Sequence, residues 1–128
     1  MSPALDPGAL LARYYALPNG PRVCLRLARP RDQAGIRELF DAHGQPLDEL
    51  ELVRLVSLDL TRRLVLVATA LIATSEKVVG VGSIGLGEQA SGEPTLVLVD
   101  DDRTEGLDGL LADALIGHAS AIARVRAA

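Results

Sequence analysis

Hydrophobic and polar residues alternate strictly from Arg22 to Leu27. Val23, Leu25 and Leu27 fall on one side, and Arg22, Cys24 and Arg26 on the other. A period of two predicts a half-buried β-strand, with the arginine side facing water. Residues 13–17 predict a shorter strand, turned into the first by Pro18-Asn19-Gly20, whose residue types favour tight turns. Before it, Asp6 as a cap and Pro7 at a first helical position predict a helix start. After Pro30 the period lengthens: Asp32 opens a helix carrying Ile36, Leu39 and Phe40, and Gly44 closes it. Asp48 and Glu51 have capping-box spacing, and Leu47 and Leu52 stand at the positions of a hydrophobic staple. The helix they start carries Leu52, Leu55, Val56 and Leu60 and is expected to reach Thr61.

Two continuous apolar runs follow, over residues 64–73 and 78–86, separated by Thr74-Ser75-Glu76. Runs of this length between turn residues predict buried strands. A Gly/Ser/Pro stretch over residues 87–94 predicts a loop, and residues 95–99 a third apolar strand. The last segment, residues 104–124, predicts a helix with Leu107, Leu110, Leu111, Ala114, Leu115, His118 and Ile122 as its apolar stripe. The order β-α-α-β-β-β-α describes an α/β (α+β) fold with a mainly antiparallel sheet flanked by helices.

Composition narrows what such a fold can do. The 128 residues, 48% hydrophobic and 23% charged, match one domain with one core. Residues 1–20 read as an N-terminal helix/turn extension and residues 22–126 as the core. Aromatics make up 2%, too few for the stacking platforms that bind single-stranded nucleic acid. Net charge is −4, and no basic stripe marks a DNA or RNA footprint. Cys24 is the single cysteine, which excludes an intrachain disulfide and a cysteine zinc cluster. The first residues lack the basic and apolar regions of a signal peptide, and the longest apolar run is too short to span a bilayer. The expectation is a cytoplasmic protein with no nucleic-acid or membrane partner.

Several residue groups invite chemistry and are better explained by structure. Gly80-Val81-Gly82-Ser83-Ile84-Gly85 fits GxGxxG, but a dinucleotide site needs a helix starting at those glycines, and a loop follows here. The glycines read as bulge and close-packing residues inside a strand. Asp100, Asp101, Asp102, Glu105 and Asp108 could ligate a divalent cation. Asp102 as an N-cap, with acids in the first turn, explains them without a metal. His43 stands at a helix end and His118 on an apolar stripe, and no serine has triad partners at a recognisable spacing. Two arginines on the face of Cys24 could lower its pKa, yet a structural thiol is the simpler reading.

Three stretches carry a family resemblance. Arg26-Leu27-Ala28-Arg29-Pro30-Arg31-Asp32 resembles the first strand and helix start of GNAT-family acyl-CoA N-acetyltransferases. Val79-Gly80-Val81-Gly82-Ser83-Ile84 resembles their third strand. Arg103-Thr104-Glu105-Gly106-Leu107-Asp108, with the Leu110-Leu111 helix behind it, resembles the acetyl-CoA signature R/Q-x-x-G-x-G/A. The resemblance covers residues 22–126. It implies a GNAT-like fold without the family's C-terminal strands, and transfer of an acyl group from acetyl-CoA to an amine on a small molecule or protein. By the same resemblance Arg103, Thr104, Glu105, Gly106, Leu107 and Asp108 cradle the pyrophosphate, and Leu98 and Val99 line the pantetheine arm. The strand amide near Val99 polarises the thioester. The signature is degraded at its last position, where Asp108 replaces a small residue. No general base is indicated; Glu49, Glu51 and Asp59 are carboxylates on or near the helix of the acceptor side. The second reading is a non-catalytic GNAT-like module, regulatory or dimerising through the exposed strand edge at residues 95–99.

Overall fold

Alternation on the first long strand carries through into the sheet. In the computed structural model, which describes residues 13–18, 20–72, 74–90, 92–99 and 104–127, strand β2 (Arg22–Leu27) pairs on one side with β1 (Arg13–Ala16) and on the other with β3 (Arg63–Ile72). Strands β4 (Ser75–Gly85) and β5 (Thr95–Leu98) complete an antiparallel sheet of order β1-β2-β3-β4-β5. The strand predicted in the N-terminal extension thus forms one sheet edge, and β5 forms the other. The helix start predicted at Asp6 lies outside the described residues.

Both faces of the sheet are covered. Helix α3 (Leu107–Ala127) lies on the face of Val23, Leu25, Leu27, Leu64 and Leu66, with Leu107, Leu111 and Leu115 buried against them. Helices α1 (Gln33–Ala42) and α2 (Glu49–Val56) lie on the other face, where Ile36, Leu39, Leu52 and Val56 meet Val65, Val67, Val81 and Val97. Burial on both faces gives β3 its continuous apolar run, as expected for a central strand. It also corrects the reading of β2 as half-buried. Arg26, on the expected water face, is only 9% exposed.

The GxGxxG segment falls inside β4, and no helix starts there. A Cβ on Gly82 would meet Leu115 Cδ1 at 2.7 Å and Leu96 Cδ2 at 2.9 Å. Gly80 and Gly82 are packing residues that let α3 approach the sheet, whereas Gly85 makes room for the Gln89 main chain. Ala68 pairs with Gly80 and Thr69 with Val78, so Val79 is the extra residue of a β-bulge, which adds local twist.

Element ends depart from the expected ones for local reasons. Helix α2 stops at Val56 rather than Thr61, because Asp59 Oδ1 accepts the Thr61 N–H at 3.1 Å and this local turn competes with the helix ladder. At its other end Asp48 Oδ1 accepts the Glu51 N–H at 2.8 Å, the expected cap. Asp48→Ala should cost about 1 kcal/mol, read as a lower urea midpoint with an unchanged slope.

Candidate functional site

The chain leaves the sheet at the end of β5 and enters α3 through a turn whose described residues are Thr104, Glu105 and Gly106. Thr104 ties the two together: its hydroxyl donates to the Val99 carbonyl at 3.2 Å. Gly106 has φ of +90°, a left-handed conformation that side chains rarely adopt. Its carbonyl accepts the Leu110 N–H at 3.2 Å and so begins the helix ladder. The N–H groups of Leu107, Asp108 and Gly109 therefore have no acceptor within the helix, as at every helix start. Leu107 is fully buried and anchors the turn in the core, while Glu105 and Asp108 are exposed. Arg103, Asp100, Asp101 and the proposed cap Asp102 lie outside the described residues.

Strand β5 presents one edge that is unpaired among the described residues. The Val99 N–H donates to the Val79 carbonyl at 2.9 Å, facing β4. The ladder pairs Leu98 with Gly80, Val97 with Val81 and Leu96 with Gly82. Because antiparallel ladders alternate, the main-chain groups turned to the open edge are those of Leu96 and Leu98. The amide of Val99 itself is used inside the sheet, and the neighbouring strand amide turned to the open edge is that of Leu98.

Beside this turn, on the α1 side, lies a cleft of about 720 Å³. Val78, Val79 and Leu39 give it an apolar floor, and Arg31, Asp32, Glu38, Glu76, Lys77, Val99 and Thr104 stand around it. Two of its carboxylates, Asp32 and Glu76, belong to a three-residue network with Arg26. Arg26 reaches from β2 to grip Asp32 through two bonds of 2.8 Å, and it also donates to Glu76 of β4 at 2.7 Å. Asp32 accepts the Arg29 N–H as well, at 2.8 Å. Instead of capping α1 with its side chain, Asp32 binds the start of the helix back to the sheet. The Asp32 hydrogen bond raises the pKa of Arg26 against the effect of its burial. Burial pushes Asp32 up, but the Arg26 guanidinium and the Arg29 N–H outweigh it and hold the carboxyl below its ordinary value.

The other sequence candidates lie away from this cleft. Glu49 is paired with Arg37 and Asp59 is engaged by Thr61. His43 Nδ1 is 3.1 Å from the Leu39 carbonyl at the end of α1. The pKa of His118 is lowered by burial and by Arg13. No group of three His, Cys, Asp or Glu side chains among the described residues could hold a metal ion. The cleft carboxylates Glu38 and Glu76 carried no sequence signal, because the contacts that gather them are long-range.

This arrangement of sheet, turn and helix has a counterpart among solved structures. The crystal structure of the GNAT domain of S. lividans PAT superposes with a TM-score of 0.70 at 15% sequence identity, covering 94% of this chain and 76% of that one. The fold is GNAT-like. No protein-family model matches the chain, and no curated protein matches it. The predicted antiparallel α+β architecture is the observed one. No helix among the described residues is long and apolar enough to cross a membrane.

Proposed function

We propose that this GNAT-like domain binds an acyl-CoA at the turn from Arg103 to Asp108 and transfers its acyl group to an amine. The observation that carries this reading is the junction of an open strand edge with a helix start. Leu96 and Leu98 turn main-chain donors and acceptors to the edge beside it. Gly106 is left-handed, and the Leu107, Asp108 and Gly109 amides have no helical acceptor. Helix-start amides and the helix dipole favour a phosphate, and an open edge suits the amide groups of a pantetheine arm. The amine nitrogen would attack the thioester carbonyl carbon, an edge N–H of Leu96 or Leu98 would stabilise the oxyanion, and the C–S bond would break. The amine gives its proton to water, and the sulfur leaves as CoA thiolate. Exposed Asp108 and Glu105 oppose the anionic ligand.

Calorimetric titration with acetyl-CoA tests the reading, with heats of binding at micromolar ligand as the expected result. Asp108→Gly should tighten binding by about fivefold, since removing one like-charge contact near a surface is worth on the order of 1 kcal/mol. Absence of heat at high micromolar ligand, in both proteins, overturns it.

The open edge of β5 also favours the second reading, a non-catalytic module in which two copies pair along β5. An unpaired apolar edge invites such pairing. Light scattering at micromolar concentration decides it: a dimer that Leu96→Pro dissociates supports pairing at β5, and a monomer rules it out.

A further inference from the structure

The geometry points to Arg31 and Lys77 as a phosphate clamp at the mouth of the cleft, holding the 3′-phosphate of the nucleotide end of acyl-CoA; this rests on the acyl-CoA reading above. Each cation has a carboxylate as its sequence neighbour, Asp32 and Glu76. Those two carboxylates are the ones that Arg26 draws to itself. The buried arginine thereby occupies the natural partners of both surface cations. Arg31 and Lys77 are exposed, and neither has a hydrogen bond or ion pair to a described residue.

Two packing features bring them to one place. The Val99–Val79 bond extends the β4–β5 ladder, so Lys77, two residues before Val79, stands on the side of the ladder where the signature turn begins. Gly35, one helical turn after Arg31, rests on Val78, where a Cβ would come within 2.6 Å of Val78 Cγ2. That contact seats the start of α1 over the residue next to Lys77. Both cations line the same cleft as Val99 and Thr104. Glu38 is the remaining cleft carboxylate outside the Arg26 network, so the two cations at the mouth face one carboxylate there and the net single negative charge of Arg26 with Asp32 and Glu76. A planar guanidinium and a compact ammonium together suit a phosphate dianion.

The test compares CoA with dephospho-CoA, which lacks only the 3′-phosphate, by calorimetry on the wild-type chain and on Arg31→Gln/Lys77→Gln. The wild type is expected to bind CoA at least about tenfold more tightly than dephospho-CoA, the scale of one charge-assisted contact. The double variant should lose that preference, binding dephospho-CoA within about threefold of wild type, and should melt at the wild-type temperature. A wild type that binds both ligands equally overturns the clamp and leaves the acyl-CoA reading standing. So does a double variant that keeps the preference. A wild type that binds neither ligand overturns the acyl-CoA reading, and the clamp with it.

Discussion

Asp32→Ala is expected to destabilise the fold by about 3–5 kcal/mol, the usual cost of removing one partner from a buried ion pair. Arg26 and Asp32 have side chains only 11% and 5% exposed and meet at 2.8 Å. Without Asp32 the guanidinium keeps the Leu27 carbonyl at 3.3 Å and one carboxylate, Glu76, whose side chain is 55% exposed. The Arg29 N–H loses its acceptor at the same time. Domains of this size have about 5–15 kcal/mol in total, so the variant should show a large fall in its urea midpoint. The double variant Arg26→Met/Asp32→Leu should recover most of the loss, since apolar groups of similar volume leave no unpaired charge buried and Glu76 is exposed to water. A single variant within about 1 kcal/mol of wild type would refute the account.

The same pair sets a pH dependence with a definite sign. The carboxyl of Asp32 is held below its ordinary value in the folded chain. Its contribution is therefore complete above the unfolded value, near 4, and is lost as pH falls through the lower folded value. Wild type should lose stability steadily below about pH 4. Asp32→Asn, which cannot titrate there, should show a shallower slope by up to one proton.

Leu115→Ala should cost about 2–5 kcal/mol, because Leu115 is fully buried between α3 and the sheet and its removal leaves a cavity. Gly82→Ala, directly opposite, should cost about 1–3 kcal/mol by overpacking, as the new methyl would meet Leu115 Cδ1 at 2.7 Å. The two changes touch the same space, so the double variant should be more stable than the sum of the single losses predicts. Urea denaturation of the four proteins gives the coupling directly. Strict additivity would show that Gly82 does not seat the helix.

Periodicity was informative wherever a segment's own residues decide its state. The alternation of Val23, Leu25 and Leu27, the spacing of Ile36 and Leu39, and the Asp48 cap all belong to short-range physics. The glycines of β4 were recognisable as strand residues because no helix signal follows them. The position of the signature-like turn could also be read from its order in the chain. The direction of the Val99 amide could not, since it depends on which strand pairs with β5 and in what register.

Arg26 marks the boundary most clearly. By itself the sequence determined a β-strand with arginine on the side opposite the leucines, and an aspartate six residues on at a helix start. Only the tertiary structure decided that this side is also buried, because α1 and α2 fold back over the sheet and Glu76, fifty residues along the chain, arrives on β4. Burial turns an ordinary surface arginine into a charge that must be neutralised, and it draws Asp32 and Glu76 away from Arg31 and Lys77. Local pattern fixes which elements form. Long-range packing fixes which charges remain free.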